Sequence, residues 1–187
     1  MKRSVVVMGF MGSGKSTAGR LLAQTLGTAF HDLDELIEAS QKKTISRIFA
    51  ENGEAFFRNL ETEQLKEWLE DSEEGVLALG GGTPLREQNR EVLNQSGALC
   101  VYLKVNPETV VERLMNDQTR PLLAGCADEA EKLEKVRTLL SARESVYESA
   151  AGLVVETDGK TPEAVAEVIA EAIAEANRLS GEREVRW

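Results

Sequence analysis

Short apolar runs alternate along this chain with longer stretches in which apolar residues return every three or four positions. Val5 to Met8, Ala29 to His31, Val76 to Leu79, Leu99 to Leu103 and Leu153 to Val155 have the length and content of buried strands. Between the first two, Ala18, Leu21, Leu22 and Leu26 share one helical face, and Gly27 supplies a stop. Helical spacing returns over Glu54 to Leu69, Glu87 to Leu93, Pro107 to Met115 and Ala130 to Tyr147. Val165, Val168, Ile169, Ala172 and Ile173 stripe a last helix. This alternation predicts an α/β fold of three layers, α/β/α, in which a five-stranded parallel sheet carries helices on both faces. In such sheets a ligand binds at the C-terminal ends of the strands.

The pattern breaks once, over Asn116 to Asp128, "NDQTRPLLAGCAD", which has a proline, a glycine and no periodic apolar face. A mobile lid over about 116–128 is expected there. A passive surface loop fits the composition equally well, and Arg120 before Pro121 favours the lid, because an arginine on a movable loop can cover a transferring phosphate. The 187 residues suit a single domain spanning 1–187. No apolar run approaches a membrane span, and Met1 to Arg3 lead directly into the first strand, so neither anchor nor signal peptide is expected. Two cysteines make no disulfide framework, and a cytoplasmic protein is the simple expectation. A net charge of −10 disfavours nucleic acid and anionic membrane as partners, which leaves local arginines and backbone dipoles to draw anionic ligands.

The strongest chemical signal is "GFMGSGKST", Gly9 to Thr17, placed between the first strand and the first helix. Its spacing is that of a phosphate loop. Glycines let backbone amides point inward at phosphate oxygens, and the helix start adds a positive end. Gly12, Ser13, Gly14, Lys15, Ser16 and Thr17 are therefore candidate nucleotide contacts, with Lys15 reaching the β- and γ-phosphates and the Ser16 hydroxyl placed for Mg²⁺. A glycine-rich turn with a chance lysine would not also supply the strand, the helix and Lys-Ser-Thr together.

"HDLDELIE" follows the second strand. Two residues apart in extended chain, Asp32 and Asp34 are expected to point the same way, Asp32 toward a water-held Mg²⁺ and Asp34 toward an acceptor hydroxyl. Helix capping by Asp34, with Asp32 merely exposed, is the plain alternative. In "IFAENGEAFFRNLE", Gly53 breaks the chain before a helix that carries Arg58. That arginine can grip a carboxylate with two prongs, or pair with Glu54 and Glu61 at ordinary helical spacing. Phe49 and Phe57 are by default core residues. "LALGGGTPLRE" ends the third strand with Gly80, Gly81 and Gly82, and three consecutive glycines imply a close approach to something. No acidic residue ends that strand, so metal duty falls to Asp32.

"GFMGSGKST", "DLDELIE", "IFAENGEAFFRNLE", "LGGGTPLRE", "RPLL" and "ARESVY" occur in an order and spacing that resembles the shikimate kinase family over about residues 4–175. A tail over about 179–187 falls outside the resemblance. The resemblance implies a P-loop kinase fold and Mg²⁺-dependent transfer of the ATP γ-phosphate to the 3-hydroxyl of shikimate. It implies that Asp34 binds and helps activate that hydroxyl, that Arg58 and Arg143 clamp the carboxylate, and that Gly81 donates its amide beside the substrate. It assigns Arg120 to phosphate and substrate together, Arg113 to the adenine, Phe49 and Phe57 to the walls of the acceptor ring, and Asp32 to the metal through water. A monomer acting on shikimate and ATP is expected. A gluconate kinase would share the loop and fold, but the set Arg58, triple glycine and Arg143 fits shikimate better. A catalytically silent nucleotide-binding module would be expected to have lost Lys15 or Asp34.

Overall fold

The computed structural model describes residues 4–71, 74–114 and 128–184, with side chains of the last helix described as far as residue 179. Strands β1 (Val5–Met8), β2 (Ala29–Asp32), β3 (Gly75–Ala78), β4 (Leu99–Lys104) and β5 (Leu153–Glu156) form one parallel sheet in the order β2-β3-β1-β4-β5. The central strand β1 is buried on both faces, which is why it reads as continuous Val-Val-Val-Met rather than as an alternation. Val6 and Met8 point into one core and Val5 and Val7 into the other, as the two-residue period of a strand requires.

The helices divide between these cores. Helix α1 (Lys15–Leu26) and helix α7 (Pro162–Glu184) cover one face, sending Ala18, Leu22, Val165 and Ile169 against Val5, Val7, Val101 and Leu103. On the other face lie α2 (Leu33–Gln41), α3 (Ile45–Asp71), α4 (Glu87–Ser96), α5 (Pro107–Leu114) and α6 (Glu129–Ala150). Their residues Ile37, Phe57, Leu65, Leu93, Val110 and Tyr147 pack with Met8, Phe10 and Tyr102. The three layers and five parallel strands expected from the sequence are present.

The break expected at Gly53 is present: α3 is two helical stretches that meet where Gly53 takes φ 80°, ψ 174°, outside the helical region, and Ile48 before it and Phe57 after it enter the same core. The tail from Leu179, which lies outside the resemblance, continues α7 as far as Glu184, because no proline interrupts propagation of its backbone bonds. Residues 185–187 lie outside the described residues, as do 115–127, which include Arg120 and all but the end of the expected lid. Asp128, the last residue of that stretch, caps α6 by accepting from the Glu131 amide at 2.8 Å. Among the described residues no helix is long and apolar enough to cross a membrane.

Candidate active site

The phosphate loop leaves β1 and winds directly into α1. Gly12 and Gly14 sit at φ 74° and 88°, in the left-handed region that side-chain-bearing residues avoid. Gly14 is the N-cap of α1 and offers no side-chain cap, and the helix start turns its positive end toward the phosphate loop. The Lys15 ammonium curls back over the loop and donates to the Phe10 carbonyl at 2.9 Å. Ser13 packs inside the loop, only 1 % exposed, and its hydroxyl has no hydrogen-bond partner among the described residues. Thr17 is exposed in the first turn of α1. Arg113, on α5, donates to the Gly12 carbonyl at 3.0 Å and to the Thr157 carbonyl at 3.2 Å. It thus straps the loop after β5 onto the phosphate loop.

Asp32 and Asp34 are not two residues of one extended strand. Asp32 ends β2 and is the N-cap of α2, accepting from the Asp34 amide at 3.0 Å, so Asp34 already lies in the helical first turn. The alternative that Asp34 is the cap is likewise corrected, since the extended φ and ψ of a cap belong to Asp32. The second oxygen of Asp32 accepts from the Ser16 hydroxyl at 2.7 Å. One carboxylate therefore joins the phosphate loop to the start of α2. Among the described residues there is no cluster of three His, Cys, Asp or Glu that could hold a metal. A hydroxyl beside one carboxylate suits Mg²⁺, which keeps several waters and takes other ligands from substrate phosphates, and does not suit an all-protein cage.

On the acceptor side, the triple glycine meets side chains from α3. Arg58 donates to Glu61 at 2.7 Å and to Glu54 at 3.1 Å, so both helical ion pairs foreseen for it exist. They are not equivalent. Glu54 is an exposed partner, whereas the Glu61 side chain is 1 % exposed and also accepts from the Thr83 hydroxyl at 2.6 Å. Burial works to lower the Arg58 pKa, and the bonds and charge of Glu61 and Glu54 outweigh it, so the guanidinium is held firmly charged.

The glycines give room to this cluster. A Cβ on Gly82 would stand 2.6 Å from an Arg58 guanidinium nitrogen, and one on Gly80 would stand 2.9 Å from Glu61 and 3.3 Å from the Asp34 carboxylate. A Cβ on Gly81 would meet the Gly9 carbonyl at 3.4 Å, so the acceptor loop lies directly against the phosphate loop. The Gly80 and Gly82 carbonyls accept from the amides of Thr83 and Leu85, each at 3.1 Å. That of Gly81 accepts from the Tyr147 hydroxyl at 2.6 Å.

Three other expected residues take clear positions. Arg143, one turn before Tyr147 on α6, is half-buried with its guanidinium 5.6 Å from the centre of the Phe10 ring. The rings of Phe49 and Phe57 touch, with centroids 4.7 Å apart, and the Arg58 guanidinium lies 5.3 Å from that of Phe57. Phe57 is buried in the core and Phe49 is half-buried at its margin. The sequence reading missed Glu61 and Thr83 as members of the site. Glu61 was visible three residues after Arg58, but nothing in a helical ion-pair spacing distinguishes a buried partner from a solvated one.

Comparison with known proteins agrees with this geometry. The family model described as shikimate kinase matches residues 11–174. A shikimate kinase of Streptomyces coelicolor is 44 % identical over 163 residues, covering 87 % of this chain and 91 % of that protein. The structure of a shikimate kinase from Acinetobacter baumannii in complex with shikimate superposes with a TM-score of 0.85 at 35 % identity, over 94 % of this chain and 95 % of that one. Shikimate kinase from Aquifex aeolicus gives a TM-score of 0.78 at 34 % identity, over 94 % and 98 % of the two chains. A phosphate loop lying against the glycine turn that houses an arginine-carboxylate cluster, in a chain matched over most of its length, makes this protein an ATP-dependent kinase that belongs to the shikimate kinase family.

Proposed function

We propose that the chain transfers the γ-phosphate of ATP to the 3-hydroxyl of shikimate, giving shikimate 3-phosphate and ADP in the biosynthesis of aromatic amino acids. The observation that carries this reading is the meeting of the two loops at Gly81, with Asp34 and the Arg58 guanidinium beside the neighbouring glycines. The hydroxyl oxygen attacks the γ-phosphorus, the bond to the β–γ bridging oxygen breaks, and ADP leaves. Asp34 orients the attacking hydroxyl and takes its proton. Arg58 and Arg143 hold the carboxylate, the Gly81 amide contributes a donor, and Phe49 and Phe57 wall the ring.

The phosphate-loop amides, Ser13, Thr17 and Lys15 hold the nucleotide, and Arg113 steadies the loop at its adenine end. Ser16 directly, and Asp32 through water, would hold Mg²⁺, which neutralises phosphate charge when bound. Arg120, outside the described residues, is assigned to the lid and to the transferring phosphate. We further infer a monomeric, cytoplasmic protein of one domain over 1–187 that needs neither nucleic acid nor membrane, in keeping with a net charge of −10.

ADP release measured with shikimate, quinate, gluconate and nucleoside monophosphates tests the acceptor. Shikimate is expected to be turned over fastest. Equal or faster turnover of gluconate would overturn the assignment.

A further inference from the structure

Tyr147 belongs to no role assigned above, although it lies in "ARESVY" one turn after Arg143. Its ring is fully buried and stacks on Tyr102 with centroids 5.2 Å apart. Two tyrosines in one apolar stack thus carry two hydroxyls, and their environments differ. The Tyr102 hydroxyl is buried with no hydrogen-bond partner among the described residues. The Tyr147 hydroxyl donates to the Gly81 carbonyl at 2.6 Å, a bond between positions 66 residues apart. Burial pushes the Tyr147 pKa up, and the Arg143 guanidinium beside the hydroxyl pulls against that rise.

The placement of this bond gives it consequence. The Gly81 carbonyl is the only one of the three glycine carbonyls whose described partner is a side chain from another layer, the other two being used within the turn itself. A run of three glycines has no side chains with which to resist rotation of its peptide groups. An external hydrogen bond is then what fixes the Gly81–Gly82 peptide plane, and the Arg58 guanidinium packs against Gly82, where a Cβ would stand 2.6 Å from it. The same helix α6 brings Arg143 over Phe10 of the phosphate loop. A hydroxyl that ties α6 to Gly81 therefore sets the distance between two parts of the acceptor site that lie on different elements.

We propose that Tyr147 is a positioning residue for the acceptor: its hydroxyl locks the triple-glycine turn in register with Arg143, and so fixes the carboxylate and hydroxyl contacts of the bound substrate. The proposal rests on the acceptor reading given above.

The test compares Tyr147→Phe with Tyr102→Phe in the full-length protein, each removing one hydroxyl from the same ring stack and leaving its volume nearly unchanged. In Tyr147→Phe the KM for shikimate should rise about three- to tenfold, the scale of one lost hydrogen bond, while the KM for ATP stays within about twofold. Tyr102→Phe should leave both constants at the wild-type level. Assays run at a fixed interval below each variant's own Tm separate a shift in binding from a loss of folded protein. Should Tyr147→Phe melt too low for assay, a shikimate titration of the folded variant in the cold, with Tyr102→Phe alongside, reads the same contrast. Equal behaviour of the two variants, or a parallel rise in both KM values, would overturn the positioning role. Wild-type protein that turned over another acceptor faster than shikimate would instead overturn the acceptor reading, so the two failures are distinguishable.

Discussion

The site contains two glycine-rich turns, and Gly14 in one and Gly82 in the other are glycine for opposite reasons. In the phosphate loop, Gly12 and Gly14 occupy left-handed φ values of 74° and 88°, and around Gly14 a Cβ would meet nothing within 4 Å. At Gly14 the backbone conformation demands glycine and space does not, whereas at Gly9 a Cβ would also press on the Leu103 carbonyl at 2.7 Å. In the turn after β3, none of Gly80, Gly81 and Gly82 has a positive φ, yet a Cβ on Gly82 would press on Arg58 at 2.6 Å. Here space demands glycine and conformation does not. The difference follows from what each turn is proposed to hold: the first would fold its own amides around a phosphate, and the second makes room for side chains that arrive from α3 and α6.

The sharpest way to divide the two regions is Lys15→Met, which removes the charge that follows the γ-phosphate and leaves the cores untouched. Turnover should fall below detection with the melting temperature near wild type, and retained activity would contradict the assigned role. Arg58→Ala attacks the other region. A substrate carboxylate deprived of its two-pronged partner should lose about 2 to 5 kcal/mol of binding, more than tenfold in shikimate affinity, with ATP affinity little changed. Separate titrations of the two ligands decide it, and unchanged shikimate affinity would reduce Arg58 to a structural ion pair.

Glu61→Ala should be felt in stability as well as in binding. It leaves the Arg58 guanidinium with only the exposed Glu54 and removes the acceptor of the Thr83 hydroxyl, and because Arg58 keeps that partner and is 28 % exposed the loss should be at most the low end for a broken buried pair, about 3 kcal/mol by denaturant unfolding. A loss near zero would mean that Glu61 is as dispensable as the exposed Glu54. The smallest effects come from the glycines themselves. Gly14→Ala should cost about 1 to 2 kcal/mol through backbone strain and weaken ATP binding selectively. Gly82→Ala should cost about 1 to 3 kcal/mol through crowding and weaken shikimate binding selectively. If both substitutions struck the same ligand, the contrast between the two turns would collapse.

Legibility in the sequence followed the same division. The phosphate loop was readable because the amides assigned to the phosphate belong to one short segment, and the glycines, lysine and hydroxyl that shape it stand side by side from Gly9 to Thr17. The acceptor site is built from β2, α3, the turn after β3 and α6, so no single window contains it. Arg58 was visible as a possible clamp, but the same spacing described a surface ion pair, and only burial separates Glu61 from Glu54. Asp32 and Asp34 were read as neighbours on a strand because the sequence did not reveal that β2 ends at Asp32 and that its carboxylate starts a helix. The resemblance to known kinases named most of these residues without saying what holds them in place.

Periodicity and composition by themselves determined the parallel α/β layers, since strands buried on both faces must be continuously apolar and their crossover helices must be amphipathic. They also determined the phosphate loop, whose geometry is local. Tertiary structure alone decided which carboxylate is buried, which hydroxyl reaches Gly81 and how the two loops meet. The reason is physical: charge-pair strength and hydrogen-bond satisfaction depend on exclusion of water, and water is excluded by elements far apart in the chain. Tyr147 and Tyr102 are both tyrosines in apolar surroundings, and only the fold gives the Tyr147 hydroxyl the Gly81 carbonyl.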